Sequence, residues 1–221
     1  MKTTNYIVPY GTTEIKERQF EKSGDLGDVV IPNTVLSIGE DAFHTYLKSV
    51  TIPDSVTKIK RGAFNGFLLS RKKFFKVYIT DLSKWCEIDF DPNANPLAEA
   101  HNLYLNDNLV TDMTIPNNIK IIKDWAFVGC TSLESVTIND NVSKINLGAF
   151  KDCIRLKRVT LSNMTEIGWS AFNNCKQLEH IYYQGTKAQW KKTSKGKNWN
   201  KNTGKYTVHC TDGDIKKSIF G

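Results

Sequence analysis

The chain has 221 residues, of which 40% are hydrophobic and 24% charged, and its formal net charge is +7. Those proportions are ordinary for a folded protein and exclude a disordered chain. No uninterrupted apolar run approaches the roughly 18 residues of a membrane helix, and Pro9, Gly11, Glu14 and Glu17 interrupt the place where an export signal would carry its apolar core. As it stands, the chain is expected neither to span a membrane nor to open on a signal peptide.

Self-similarity begins near the amino terminus and organises everything after it. A branched or aromatic pair separated by one residue, often followed by proline, recurs as Tyr6/Val8, Val29/Ile31, Val50/Ile52, Val77/Ile79, Met113/Ile115, Val136/Ile138, Val159/Leu161 and Ile181/Tyr183. Leu26, Leu47, Phe74, Val110, Leu133, Leu156 and Leu178 stand three residues before that pair. Ile15, Ile38, Ile59, Ile122, Ile145 and Ile167 follow it, seven residues on in most repeats. Ala-Phe marks the rest of the unit at Ala42-Phe43, Ala63-Phe64, Ala126-Phe127, Ala149-Phe150 and Ala171-Phe172, after a degenerate Gln19-Phe20. Neighbouring phenylalanines are 23, 21, 23 and 22 residues apart, with one interval of 63 from Phe64 to Phe127.

The pattern Leu-x-x-Val-x-Ile puts alternate side chains on one side of a short strand, and a following proline ends that strand. One such strand per 21–23-residue unit builds a narrow parallel sheet, while the remainder of the unit turns Ile and Phe back into the same core. A unit of this size buries too little to fold alone, so each must cover the flank of the next. The predicted fold is mainly β, with short helical or 3-10 segments, wound as a curved, elongated, right-handed solenoid.

Two units depart from the pattern in the same way. From Val77 to Trp85, and again from Ile181 to Trp190, a strand is followed by a capping Asp or Thr and then by a Trp-bearing helical turn. A further strand is predicted at Asn102–Leu105 in the first case and at Tyr206–His209 in the second. Trp85 and Trp190 are expected to plug the core beneath their helices. The chain reads as one domain, 1–221, with regular units over 6–76 and 113–180, a divergent strand-helix-strand module over 77–112 and a capping module over 181–221. The middle module either bends the solenoid or presents the loop Asp91–Pro96 as an exposed turn.

Several of these units, such as Ala126-Phe127-Val-Gly-Cys130-Thr-Ser-Leu133-Glu-Ser-Val136-Thr-Ile138 and Val50-Thr-Ile-Pro-Asp-Ser-Val-Thr-Lys-Ile59, closely resemble the BspA-like leucine-rich repeats of bacterial surface proteins and some protozoan ones. The resemblance covers nearly the whole chain. It implies a leucine-rich-repeat solenoid used for protein contacts, commonly adhesion, at the cell surface or outside the cell. It brings no catalytic residues. With no export signal in the chain, a cytoplasmic scaffold stays an alternative.

Candidate chemistry is sparse. Five cysteines, an odd number without a Cys-x-x-Cys pair, point to free thiols. Cys130, Cys153 and Cys175 follow Phe by three residues in consecutive units, a slot that Tyr46 and Phe67 fill earlier, so they read as packing groups, as do Cys86 and Cys210. His44, His101, His180 and His209 fall in four different units, none at metal-ligand spacing. The spacings of nucleophile elbows, zinc proteases and phosphate loops are missing. No catalytic residue, cofactor or metal site is expected, and the chain reads as a monomer.

Two surfaces remain. The outward strand positions, Val30, Thr51, Tyr78, Thr114, Thr137, Thr160 and Tyr182, with Asp28, Ser49, Lys76, Asp112, Ser135, Arg158 and His180 beside them, are either strand-forming residues without a role or a shallow recognition face for a protein ligand, with Tyr78 and Tyr182 as anchors. The stretch holding Lys187, Lys191, Lys192, Lys195, Lys197, Lys201 and Lys205 has no acidic residue and is interleaved with Trp190 and Trp199. It is either a solvated lysine surface or a patch for an anionic polymer such as glycan, cell-wall polymer or nucleic acid. Arg71, Lys72, Lys73 and Lys76 form a smaller basic run open to the same two readings.

Overall fold

Each of the eight branched pairs lies on or against a short strand. The computed structural model describes residues 4–65 and 76–216; Phe67, Arg71, Lys72, Lys73 and Phe74 lie outside them. Packing divides the chain into two units, Met1–Leu109 and Val110–Gly221, and each is a mainly-β parallel solenoid.

In the first unit β1 (Thr4–Ile7), β3 (Leu26–Val30), β5 (Ser49–Thr51), β7 (Lys76–Ile79) and β9 (Leu103–Leu105) run parallel, and β10 (Asn108–Leu109) closes the sheet antiparallel to β9. Val29, Val50, Val77 and Leu103 line up across the strands and are buried. The Ile markers build a second ladder that the spacing did not predict as strand: β2 (Glu14–Ile15), β4 (Ser37–Ile38), β6 (Lys58–Ile59) and β8 (Asp89–Phe90), all parallel. Two residues suffice for each rung, because the isoleucine faces the core and its polar neighbour faces water.

The second unit repeats the plan. Its main sheet is β11 (Asp112–Thr114), β13 (Ser135–Thr137), β15 (Arg158–Leu161), β17 (His180–Tyr183) and β18 (Thr207–Cys210), closed by antiparallel β19 (Gly213–Lys216). Its second ladder is β12 (Ile121–Ile122), β14 (Lys144–Ile145) and β16 (Glu166–Ile167), extended by a bridge from Ile167 to Lys195.

Ala-Phe forms a third line of rungs. The amide of Phe20 donates to the carbonyl of Ala42 and that of Phe43 to Ala63, at 2.9 and 2.8 Å, and Phe127 and Phe150 repeat this with Ala149 and Ala171 at 2.8 Å. The rings then stack face to face, 4.9 and 5.2 Å apart through Phe20, Phe43 and Phe64, and 5.3 Å apart through Phe127, Phe150 and Phe172. Alanine precedes phenylalanine because that Cα sits where the chain turns inward with no room for a larger side chain; every described Ala of these pairs is fully buried. The residue before Ala adopts a left-handed backbone in each regular unit, including Asp41 (φ 48°), Trp125 (φ 60°), Gly148 (φ 60°) and Ser170 (φ 54°). At Gly148 a Cβ would also strike the Trp125 ring at 2.2 Å, so glycine there meets both a backbone and a packing requirement.

The two divergent modules terminate their sheets. Asp81 caps α1 (Leu82–Glu87), its carboxylate accepting from the amides of Ser83 and Lys84, and buried Trp85 packs 5.3 Å from Phe90. A second helix, α2 (Leu97–Ala100), follows the loop Asp91–Pro96. That loop is less open than its two prolines suggest: Pro92 and Asn93 are exposed, but Ala94, Asn95 and Pro96 are buried, and Asn95 Oδ1 accepts from the Leu97 amide at 2.8 Å. In the second unit Thr186 and Gln189 form a capping box on α3 (Lys187–Lys192), and buried Trp190 contacts Tyr183 and Trp199. Both tryptophans plug the core as the sequence predicts.

Lys195 stands five residues after Trp190, where Phe90 stands five after Trp85. It takes the same rung of the second ladder, with its ammonium 4.3 Å over the Trp190 ring and donating to the carbonyls of Trp190 and Thr193. A cation over an aromatic face replaces an aromatic pair, and the same ammonium satisfies carbonyls at the end of α3. Burial pushes its pKa down.

The thiols of Cys153 and Cys175 donate to the carbonyls of Phe127 and Phe150 at 3.2 Å, and both cysteines, like Cys130, are fully buried. Burial pushes the Cys153 and Cys175 thiols well up and the Cys86 thiol up to about 12. These are packing groups, kept un-ionised. All five cysteines are free, and Cys210 is half-buried rather than packed inside.

Phe127→Ala and Phe150→Ala should each cost about 3–5 kcal/mol in urea unfolding, through loss of a fully buried ring, whereas exposed Thr137→Ala should stay within about 0.5 kcal/mol. Reversal of that ranking would show that the inward and outward assignments are swapped. Lys195→Ala should cost about 1–2 kcal/mol, and Lys195→Phe should recover at least half of that, since phenylalanine fills the equivalent rung in the first unit. Equal loss in both variants would sink the equivalence.

Candidate functional site

Alternation in the main sheets turns one side of each strand to the core and leaves the other for solvent. On the first unit the solvent side carries two rows. One is Asp28, Ser49 and Lys76; the other is Val30, Thr51, Tyr78 and Tyr104. All of these but Tyr104 line a cavity of about 590 Å³, rimmed by Lys48, Thr80 and the turn residues Asn106 and Asp107. Those two turn residues both adopt left-handed backbone, φ 47° and 64°, as a tight hairpin from β9 to β10 requires.

The polar row is held together internally. Ser49 donates to Asp28 Oδ1 at 2.7 Å and Lys48 reaches Oδ2 at 3.1 Å. Ser49's hydrogen bond, with help from Lys48 and Lys76, holds the Asp28 carboxyl below its ordinary range, against a smaller opposing effect of burial. Ser49 is therefore buried beneath the row rather than open on it. Lys76 lies with its ammonium 5.4 Å from the centre of the Tyr104 ring, and Tyr104 pairs with Tyr78 at 4.9 Å. An acid, a cation and Tyr78 thus share one concavity, with Tyr104 packed against the last two.

The second unit presents the same sequence of groups. Ser135 donates to Asp112 Oδ1, Thr111 donates to Oδ2 at 2.9 Å, and Arg158 stands 3.9 Å from the same carboxylate. Those hydroxyls, Ser135 first, hold the Asp112 carboxyl below its ordinary range. Thr114 and Thr137 are exposed, Thr160 is half-buried, and Tyr182 is 42% exposed. Tyr182 stacks on His209 at 4.9 Å, the counterpart of Tyr78 on Tyr104.

Two histidines assigned to separate units meet here. His180 Nδ1 lies 3.0 Å from His209 Nε2, and His209 Nδ1 lies 3.0 Å from Asp214 Oδ1. Their separation of 29 residues in the chain hides the contact; the register Tyr182↔His209 between β17 and β18 creates it. The predicted strands at 181–183 and 206–209 were the available signal. Among the described residues, no group of three or more His, Cys, Asp or Glu side chains is placed to hold a metal ion.

The basic stretch divides. Lys191, Lys192, Lys197, Lys201 and Lys205 are exposed, and among the described residues no ion pair engages them. Lys187 is half-buried at the start of α3, where its amide donates to Asp212 Oδ1 at 2.7 Å. Lys195 points inward. Trp199 is half-buried: its ring ends the phenylalanine stack against Phe172 and contacts Trp190 and Tyr206, while its carbonyl accepts from the Phe172 amide at 2.8 Å.

No helix among the described residues is long and apolar enough to cross a membrane. No curated protein matches the chain. Solved structures similar to it include a leucine-rich repeat protein from Eubacterium ventriosum, 18% identical over 82% of this chain and 60% of that one, with a TM-score of 0.41. A leucine rich cell surface protein from Faecalibacterium prausnitzii is 21% identical over 86% and 62%, TM-score 0.45. A leucine rich repeat protein of T. pallidum is 22% identical over 80% and 78%, TM-score 0.45. The chain thus spans less than two thirds of the length of the first two. The family model described as the BspA type leucine rich repeat region matches residues 3–86 and 100–220, in six copies. With the stacked units, the phenylalanine lines and a match across most of its length, the chain belongs to the BspA-type leucine-rich repeat family.

Proposed function

We propose that the chain is a non-catalytic recognition module that holds a protein partner against the solvent side of its main sheets, at the cell surface or outside the cell. One observation carries this reading. Both units place a serine-held aspartate, a cation two strands away and an aromatic pair in the same order on the same face. Core packing needs none of these groups, because the apolar side of every strand supplies it. Tyr78 and Tyr182 offer broad contact area with little rotamer freedom to lose, the usual make-up of an interface anchor. The location follows family membership and is part of the proposal.

The test immobilises the full chain and screens host matrix and bacterial surface proteins by biolayer interferometry. A specific partner should lose about tenfold or more in affinity with Tyr78→Ala or Tyr182→Ala, equivalent to roughly 1.4 kcal/mol. Indifference to both substitutions would remove the strand faces from the interaction.

A second reading rests on the five exposed lysines of the C-terminal cap, which among the described residues form no ion pair. They suit an anionic polymer. Affinity for heparin should then fall steeply with salt, and neutralising Lys191, Lys192 and Lys197 to glutamine should flatten that dependence. A salt-insensitive affinity, or an unchanged slope in the variant, would discard this reading.

A further inference from the structure

Asp214, His209 and His180 form a line of three groups at the solvent side of β17, β18 and β19. The two 3.0 Å contacts order the protons. With Asp214 ionised, His209 donates from Nδ1 to Asp214 Oδ1 and accepts at Nε2 from His180 Nδ1–H. This assignment leaves one ring nitrogen with an unused lone pair, His180 Nε2, and among the described residues nothing else bonds to that ring. A further proton therefore enters at His180 Nε2 and keeps both internal hydrogen bonds. It turns an acceptor into a donor and adds one positive charge to the face.

The shared proton can pass to His209 Nε2, which sets the charge beside Asp214 Oδ1 at 3.0 Å, and in either arrangement His180 Nε2–H is a donor without a partner among the described residues. On β15 the ladder neighbour of His180 is Arg158; on β18 it is Thr207, itself opposite Lys216 of β19. Asp214 already accepts from His209, and Asp112 is occupied by Ser135 and Thr111 and lies 3.9 Å from Arg158. At the head of α3, Asp212 accepts from the Lys187 amide. Neighbouring strands lie about 4.8 Å apart, so a carboxylate can span the Arg158 guanidinium and the new His180 N–H, with the Tyr182 ring beside it. Histidine is the side chain that makes such a change between pH 5 and 8.

We propose that the Asp214–His209–His180 line makes the strand face of the second unit a proton-operated site for a carboxylate-bearing segment of a partner protein, which binds with uptake of a proton at His180. This rests on the strand-face reading above and adds the partner's chemistry and its control. A protein segment is favoured over a glycan because the anion site adjoins an exposed tyrosine and a threonine row on a strand face, and stands apart in sequence from the lysine-rich stretch. The first unit is the internal contrast: Lys76 and Tyr104 hold the positions of His180 and His209, and neither residue type changes charge between pH 5 and 8.

The sign follows from linkage. A bound carboxylate favours the protonated imidazole, so binding strengthens as pH falls through the histidine range and is lost as pH rises through it. The probe is a fluorescein-labelled, end-blocked decapeptide of alternating glutamate and threonine, read by anisotropy on the full chain at constant ionic strength. Affinity should be on the order of tenfold higher at pH 5.5 than at pH 7.5. The glutamine version of the peptide should show no such change. His180→Gln should abolish the pH dependence of peptide affinity. In the unmodified chain, proton NMR should show the titration midpoint of His180 moving upward when peptide is added, a readout that needs no variant.

Equal affinity at both pH values, no binding at pH 5.5, or pH dependence surviving in His180→Gln would each overturn the proposal. So would pH-dependent binding that is lost only with the cap lysines, or that appears with heparin and not with the peptide. Peptide binding weakened by Tyr182→Ala equally at both pH values would leave the strand-face reading standing and remove the proton control.

Discussion

Each unit of this protein hands its neighbour two things that the neighbour cannot supply for itself: an apolar flank to bury and carbonyls for its backbone amides. The exchange happens along three lines at once, through the main sheet, the two-residue isoleucine ladder and the Ala-Phe rungs. A unit of about two dozen residues is far too small to bury a core of its own, so stability is a property of neighbours in register. Face-to-face stacking of phenylalanines near 5 Å follows from that register, since identical side chains one unit apart have to lie one above the other.

Stacking of this kind must also stop. An open end would leave unpaired strand edges and an apolar flank in water. Both units end alike, with a capped helix that drives a tryptophan into the core, one more parallel strand and an antiparallel turn-back whose hairpin covers the edge. The two terminations use different chemistry at one rung, Phe90 against Trp85 and the Lys195 ammonium over Trp190. A cation over a ring serves where a second ring would, because the lysine stem supplies apolar area and its head satisfies carbonyls at the helix end.

With the core committed to one side of every strand, the other side is free to vary, and there the units differ in a way that bears on recognition. The aspartate and its serine are common to both. The cation two strands from the aspartate is Lys76, on the strand of Tyr78, in one, and Arg158, one strand before Tyr182, in the other. The aromatic pair is Tyr78 with Tyr104 in one, and Tyr182 with His209 in the other. Two imidazoles thus stand where the first unit has an ammonium and a phenol, and a hydrogen bond between rings replaces a cation over a ring, the difference on which the proposed proton control rests.

The amino-acid sequence determined the repeat, the strand positions, the buried residues and the two tryptophan modules, because burial imposes a periodicity that survives in the order of residues. It also singled out Tyr78, Tyr182 and their neighbours, since alternation along a strand says which side chains leave the core. What only the tertiary structure decided was which of those side chains meet. His180 and His209 are joined by register across an irregular module, longer than a regular unit, so spacing does not place them together. Trp199 and Lys195 read as parts of an exposed basic and aromatic stretch, yet the fold carries one to the end of the phenylalanine stack and the other over Trp190. The physical reason is common to all of these: apolar pattern is a property of each strand alone, whereas a contact between side chains depends on how far the chain travels before it returns to the sheet.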